Sequence, residues 1–218
     1  MNKKIASRVV AIAVVVSATG VLASPAAWAT KGIHNFGGYS APVVGAASAD
    51  ITVPAASSIS CSSAKASLVE MWVALTRGAF VANAGLNVQC VHGTPITNIS
   101  GAAGTASFRF PVNGGDVISI STSETATSTS VTASDTTTGV NETANSLGSS
   151  TAPTLVQFGA ISTSKTLPNF GPVTYSSVTV DGTQIDPTVA TQRKLTRGHP
   201  PGVIPGALAS GSFTLTES

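Results

Sequence analysis

The sequence predicts an all-β protein whose strands form an antiparallel double-sheet β-sandwich. Three observations lead to this prediction. β-branched residues recur at alternate positions along the chain, which is the period of a half-buried strand. No helical periodicity of useful length follows residue 29. Gly, Pro, Asn and Asp separate the candidate strands at short intervals, as the turns of antiparallel sheets require.

Nine segments carry the strand signal, and their number and spacing are typical of a sandwich. Turn signals are clearest at 112–116 (VNGGD) and 180–182 (VDG), whereas the Pro-rich segment 199–205 is interpreted as an irregular loop. We find no internal repeat. The candidate strands are Ala49–Val53, Ala66–Leu75, Ala79–Val91, Gly104–Phe110, Asp116–Thr122, Thr129–Asp135, Pro153–Gly159, Val173–Val180 and Ser212–Thr216.

Residues 1–29 have the pattern of a secretory signal peptide. Three basic residues precede an uncharged apolar run over 9–22, and 27–29 (AWA) supplies the small residues of a cleavage site. The run is shorter than the ~20 residues of a membrane span. We therefore expect a secreted protein without stable membrane insertion, whose mature chain, 30–218, is a single domain. A retained N-terminal anchor is the alternative.

Charge and motif searches exclude several classes of function. The chain has 11 basic and 9 acidic residues, but three of the basic ones belong to the predicted signal peptide. The remaining balance gives no reason to expect nucleic-acid binding. No common hydrolase, nucleotide-binding or zinc motif is found. His34, His92 and His199 lack neighbouring ligands, so we expect neither a metal nor a cofactor.

Two cysteines, Cys61 and Cys90, lie near the ends of one predicted hairpin region. In an oxidising compartment they are expected to form a disulfide, worth roughly 3 kcal/mol for a loop of about 30 residues. Two buried free thiols are the alternative.

A series of short motifs runs in order along the mature chain. Each motif is weak, but their order and spacing resemble the glutamic peptidases, the eqolisin family. The resemblance implies a concanavalin-like, eqolisin-type double sheet with a substrate cleft across one face. The motifs are HNFGGY (34–39), ADITVP (49–54), MWVAL (71–75), VANAGLN (81–87), ASFRFP (106–111), GDVI (115–118), VTASDTTTG (131–139), LPNFGPV (167–173) and ASGSFT (209–214).

The same resemblance assigns residues to a site. In the family a glutamate acts as general base on water and a glutamine amide helps to stabilise the oxyanion. These dyad positions are occupied here by Gln157 and Asn83. Trp72 corresponds to the tryptophan of the family's cleft, while Phe108 and Phe110 fall in its aromatic cleft segment. Packing within the core is the alternative for all three aromatic residues.

The replacements at the dyad remove the expected chemistry. An amide such as Gln157 cannot take a proton from water, and losing a general base costs about 10²–10⁴ in rate. Asn83 is one methylene shorter than glutamine, although Gln89, on the same strand face, offers an alternative amide. Glu70 is assigned to the strand face opposite Trp72 and is therefore not counted as a base.

The predicted function is a catalytically inactive pseudo-peptidase whose cleft binds a peptide or a glycan. In this interpretation Asn83 and Gln157 either bind the ligand or satisfy each other. Two alternatives stay open at this point: a divergent, active acid endopeptidase of the same family, and an exported β-sandwich with a purely structural role.

Overall fold

The computed structural model describes residues 36–62, 66–162, 167–195 and 202–218. The predicted signal peptide, the start of the mature chain, His34 and His199 lie outside these residues, so the expectations about them stay predictions. Within the described ranges the only helix is a short 3-10 turn at Ala56–Ser58, and the all-β prediction is confirmed. None of the described helical structure is long and apolar enough to cross a membrane.

The strands form two antiparallel sheets that face each other, which confirms the predicted double-sheet sandwich. The seven-stranded sheet has the order β13-β1-β10-β3-β4-β5-β6, and the eight-stranded sheet has the order β14-β15-β11-β2-β7-β8-β9, with β12 paired to β11. The strands are β1 (Phe36–Pro42), β2 (Ala46–Thr52), β3 (Ser67–Thr76), β4 (Phe80–Val91), β5 (Thr94–Ala103), β6 (Ala106–Pro111), β7 (Val117–Glu124), β8 (Ser128–Asp135), β9 (Asn141–Leu147), β10 (Leu155–Ile161), β11 (Val173–Val180), β12 (Thr183–Gln184), β13 (Thr191–Arg193), β14 (Val203–Pro205) and β15 (Phe213–Glu217).

One hydrophobic core lies between the sheets, built from the alternate residues that the sequence pattern indicates. On β7, Ile118 and Ile120 point inward while Ser119 between them points out. On β3, the odd-numbered residues from Val69 to Leu75 belong to the same core. Burying one apolar side chain of this size stabilises the fold by about 1.5–3 kcal/mol, so the alternation fixes which face of each strand is inside.

All nine candidate strands overlap observed strands, but β1, β5, β9 and the short β12, β13 and β14 were not predicted. The prediction that 199–205 is irregular is wrong at its end, because Val203–Pro205 forms β14 and pairs with β15. Proline is tolerated there because β14 lies at the edge of the sheet.

The predicted disulfide is confirmed. Cys61 and Cys90 are bonded, with their Cα atoms 5.4 Å apart. Cys90 is buried near the end of β4, and Cys61 lies in the connection that leads to β3. The bond therefore ties this connection to the seven-stranded sheet.

Candidate functional site

Strand β3 separates the core from a second surface. Its odd-numbered residues enter the core, so Glu70, Trp72 and Ala74 point to the other side of the sheet, away from the eight-stranded sheet. We call this side of the seven-stranded sheet the outer face. It carries Ser40 on β1, Gln157 on β10, Glu70, Trp72 and Ala74 on β3, Asn83, Asn87 and Gln89 on β4, Asn98 and Ser100 on β5, and Arg109 on β6.

The two dyad positions lie at one level of the outer face. Gln157 is paired with Ala74, and Ala74 is paired with Asn83. Neighbouring strands are about 4.8 Å apart, so the Cα atoms of Gln157 and Asn83 are roughly 10 Å apart, with only the methyl group of Ala74 between the side chains. The assignment of Trp72, Asn83 and Gln157 to one site requires this shared face. Their roles stay predictions.

Both amides of the dyad positions lack partners. Within the part of the chain that the structure describes, neither the Gln157 nor the Asn83 side chain makes a hydrogen bond. Gln157 is only 3% exposed, whereas Asn83 is half-buried. The expectation that the two amides satisfy each other is therefore wrong. Each keeps a free donor and a free acceptor for another molecule.

Trp72 is the largest side chain of the outer face, and it is 2% exposed. It belongs to a small apolar cluster that is separate from the main core, together with Phe36 and Ile161. Phe80 packs edge-on against its ring at a centroid distance of 4.5 Å, because an irregular pairing at the start of β4 places Phe80 opposite Thr76. The indole Nε1 is buried and has no acceptor among the described residues.

Glycines flank Trp72 on both neighbouring strands. Gly159 on β10 and Gly85 on β4 are paired with it. A Cβ atom at Gly85 would lie 2.4 Å from the carbonyl oxygen of Met71, so no larger residue fits without a shift of the backbone. Trp72 is thus the only side chain at its level across three adjacent strands.

The assignment of Glu70 to the face opposite Trp72 is wrong. The two residues are two positions apart on β3, and a strand has a period of two, so they share the outer face. Glu70 is 8% exposed and makes no hydrogen bond with any described residue. Burial raises the pKa of its carboxyl to about 7, and the positive charge of Arg109 opposes this only in part.

A buried tyrosine supports this part of the sheet from below. The Tyr175 hydroxyl reaches across the core from β11 and donates towards the carbonyl oxygens of Gly159, at 3.0 Å, and Trp72, at 3.3 Å. Burial, and the nearby charge of Glu70, raise the pKa of the Tyr175 phenol well above its usual range. The phenol therefore stays protonated and links β10 to β3 directly beneath the site.

Several solved structures have a fold similar to that of this chain. Scytalidoglutamic peptidase with a peptide-based transition-state analogue matches with a TM-score of 0.65 at 18% identity, over 84% of this chain and 98% of that chain. SCP-B, a member of the eqolisin family in complex with the tripeptide Ala-Ile-His, matches at 0.61 and 17%, with the same coverage. Aspergilloglutamic peptidase from Aspergillus niger matches at 0.50 and 19%, over 69% of this chain and 99% of that chain.

The chain has the glutamic-peptidase fold. The sequence matches no protein-family profile and no curated protein. Likeness at such low identity shows the fold alone. The predicted resemblance is thus confirmed at the level of architecture, and what this chain does must be argued from its own residues.

Two aromatic residues do not lie where the resemblance to the glutamic peptidases suggested. Phe110 is paired with Ile99 and Phe108 with Gly101, and both rings pack against the main core. Since Arg109 lies between them, it is Arg109 that reaches the outer face. The assignment of Phe108 and Phe110 to the cleft with Trp72 is therefore wrong, and their alternative role in packing is correct.

Gln89 cannot replace Asn83 in this fold. It shares the outer face, as expected, but it is paired with Leu68, far along β4 from the level of Gln157. Six residues of strand correspond to about 20 Å. Asn83 is therefore the amide that lies level with Gln157.

The exposed His92 lies in the turn between β4 and β5. Within the described ranges, no three His, Cys, Asp or Glu side chains lie close enough together to hold a metal ion.

Proposed function

We propose that this chain is an exported, non-proteolytic protein with the glutamic-peptidase fold, and that its outer face binds an extended peptide. The observation that carries the proposal is the pair of amides at the dyad positions. Gln157 and Asn83 share one level of the outer face, and neither has a partner among the described residues.

Export is supported by two features of different kinds. The N-terminal 29 residues have the composition of a signal peptide, and Cys61 is bonded to Cys90. Disulfides of this structural type persist mainly in oxidising compartments, where reducing systems of the cytosol do not reach them.

The positions of the carboxylates support the absence of proteolysis. The dyad level of the outer face carries amides, which cannot accept a proton from water at any working pH. The only described carboxylate assigned to this face is that of Glu70, which is four residues along β3 from Ala74. That separation is about 13 Å, and Trp72 stands between, so Glu70 cannot act on a bond held between Asn83 and Gln157.

A peptide suits this face better than a glycan, the other ligand that the sequence left open. Each free amide offers one donor group and one acceptor, which complement the carbonyl and N–H groups of an extended backbone. A sugar ring would be expected to stack on an open aromatic face, but Trp72 is only 2% exposed.

The test combines cleavage and binding. The purified chain is incubated with an unfolded substrate protein between pH 2 and 7, and the substrate is analysed by mass spectrometry. We expect intact substrate, together with saturable binding of peptides released chemically from it. The double variant Asn83→Ala/Gln157→Ala should lose binding, whereas the matched variant Thr132→Ala/Thr143→Ala, on the other sheet, should retain it.

Cleavage that depends on the folded protein would contradict the proposal. Binding of oligosaccharides without binding of peptides would contradict the choice of ligand. Equal binding by both double variants would show that the outer face of the seven-stranded sheet is not the binding surface.

A further inference from the structure

Glu70 has no role in the peptide binding proposed for Asn83 and Gln157. Glu70 is 8% exposed, and it lies on the outer face beside Trp72. Its neighbours across the sheet are Ile161 on β10 and Asn87 on β4. Ile161 offers no hydrogen bond, and the Asn87 amide donates instead to Ser100 at 2.8 Å and to Asn98 at 3.3 Å.

No cation in the described ranges neutralises Glu70 by contact. The only ion pair in those ranges joins Arg77 to Glu124. Arg109 is exposed and lies three strands away on β6, so its charge acts on Glu70 at a distance and makes no hydrogen bond with it. Because this carboxylate is largely shielded from water and has no partner, an ion pair with a cation that reaches it is more favourable than the same pair at a solvated carboxylate.

The indole of Trp72 is the second unsatisfied group at this point. Its Nε1 is a donor without an acceptor, and Glu70 is an acceptor without a donor. Their Cα atoms are about 7 Å apart, which equals the distance between alternate residues of an extended peptide. A basic side chain over the carboxylate would satisfy Glu70, whereas the indole Nε1 is enclosed by the protein and can be reached only if the Trp72 side chain moves.

We propose that Glu70 is an anionic subsite of the outer face, which binds the basic side chain of a lysine or arginine in an extended peptide whose backbone passes over Trp72. The inference rests on the proposed peptide binding and names the class of peptide. It also separates the roles of the face: the amides of Asn83 and Gln157 hold the backbone, and Glu70 selects a side chain.

The subsite depends on pH because Glu70 must be ionised to attract a cation. Among the described residues, the charged and titratable groups that interact electrostatically with it are Arg109 on β6 and the Tyr175 phenol in the core below. The Tyr175 phenol keeps its proton across the neutral range, since its pKa is raised. With the pKa of Glu70 at about 7, the preference for a basic side chain is expected above that pH and not at pH 5.

The experiment uses two end-capped octapeptides of Thr and Val, labelled with fluorescein, that differ at one central residue, lysine or norleucine. Binding to the full chain is followed by fluorescence anisotropy at pH 5 and pH 8. We expect the lysine peptide to bind about tenfold more tightly than the norleucine peptide at pH 8, and equally at pH 5. Glu70→Gln should bind both peptides alike at both pH values, while Glu142→Gln, the same change at an exposed site on β9, should behave as the parent chain.

The outcomes separate this inference from the proposed function. If both peptides bind alike at pH 8 and Glu70→Gln changes nothing, the anionic subsite is wrong while peptide binding stands. If neither of these peptides nor any peptide from the unfolded substrate binds, the proposed function itself fails. A lysine preference that survives in Glu70→Gln would place the subsite elsewhere.

Discussion

The polar groups on the outward surfaces of the two sheets differ in how far they find hydrogen-bond partners within the protein. On the eight-stranded sheet, hydroxyl groups of neighbouring strands bond to each other, as in Ser48 with Thr179 at 2.7 Å and Thr132 with Thr143 at 2.9 Å. The side chains of this surface are nearly all small and polar. They include Ser176 and Thr179 on β11, Ala46, Ser48 and Asp50 on β2, Ser119, Ser121 and Ser123 on β7, Ser130, Thr132 and Ser134 on β8, and Asn141, Thr143 and Asn145 on β9. Val117 on β7 and Leu147 on β9 are the large apolar exceptions, and Leu147 is 90% exposed.

The outer face of the seven-stranded sheet is the opposite case. Trp72, Glu70 and Gln157 are each at least nine-tenths buried, and each has a polar group without a hydrogen-bond partner among the described residues. Of these three residues, only Trp72 has a polar atom that is also cut off from solvent, its indole Nε1, and such an atom costs about 1–3 kcal/mol. The polar groups of the eight-stranded surface are satisfied within the protein, whereas we propose that a ligand completes the seven-stranded surface. The following changes test that difference.

Removing the indole should have the largest effect. Trp72→Ala deletes a buried side chain of the outer-face cluster and is expected to lower the free energy of unfolding by about 3–5 kcal/mol. Thr132→Ala, on the opposite surface, should change it by less than about 0.5 kcal/mol. Urea unfolding measures both. Similar small losses in the two variants would contradict the assignment of Trp72 to a packed cluster.

Stability should also depend on pH through Glu70. Its pKa is raised from 4.5 to about 7, so the unfolded chain releases this proton first as pH rises. The contribution to stability is complete below about pH 4.5 and is lost between there and pH 7, by about 3 kcal/mol in all. Burial raises the pKa of Glu217 too, with the same sign, so the measurement is the difference between the parent chain and Glu70→Gln.

In urea titrations at pH 5 and pH 8, Glu70→Gln should lose less stability across this range than the parent chain. Glu142→Gln should leave the dependence on pH unchanged. An equal loss in all three proteins would show that Glu70 is not held away from water.

Filling the glycine beside Trp72 should have an intermediate effect. In Gly85→Ala the new Cβ would lie 2.4 Å from the Met71 carbonyl oxygen, and relieving this clash should cost about 1–3 kcal/mol. Ser121→Ala, at an exposed position of the other sheet, serves as the control. Thermal unfolding checks both variants, and a Gly85→Ala protein as stable as the parent would refute the close approach of β4 to β3.

Restoring the dyad is expected to give the smallest effect. Asn83→Gln with Gln157→Glu returns a carboxylate and a longer amide to one level of the outer face. We expect only trace cleavage of an unfolded protein at acid pH, because the rest of the surface differs from the family pattern. Asn83→Gln alone should show none, since it lacks the base. Equal activity in the single and double variants would contradict the roles assigned to these positions.

The sequence predicts strands well where apolar and polar residues alternate along the chain, and poorly where this alternation is absent. β9 was missed because Ala144 is its only buried residue, so no apolar alternation marks it. β1 was missed because Gly37 and Gly38 are poor strand formers, although Gly38 is required: a Cβ there would lie 2.2 Å from the Phe158 carbonyl oxygen. Such close approaches between strands are visible only once the strands are paired.

The site was predicted through family motifs, and its errors have specific causes. Asn83 and Gln157 fall at one level because motif order fixed their strands, whereas Phe108 and Phe110 were misplaced because the direction of β6 side chains depends on its pairing with β5. Glu70 was within reach of the sequence alone. Counting two residues back from Trp72 places it on the same face, but its burial beside residues without a free donor needed the structure.

The central claim is that the outer face of the seven-stranded sheet binds peptide and leaves it intact. A fluorescence titration of Trp72 with peptides of an unfolded protein, followed by mass spectrometry of the same sample, tests it directly. We predict a saturable change in emission, absent in Asn83→Ala/Gln157→Ala, and recovery of every peptide at its original mass. Shortened peptides, or a titration that is unchanged in that double variant, would contradict the account.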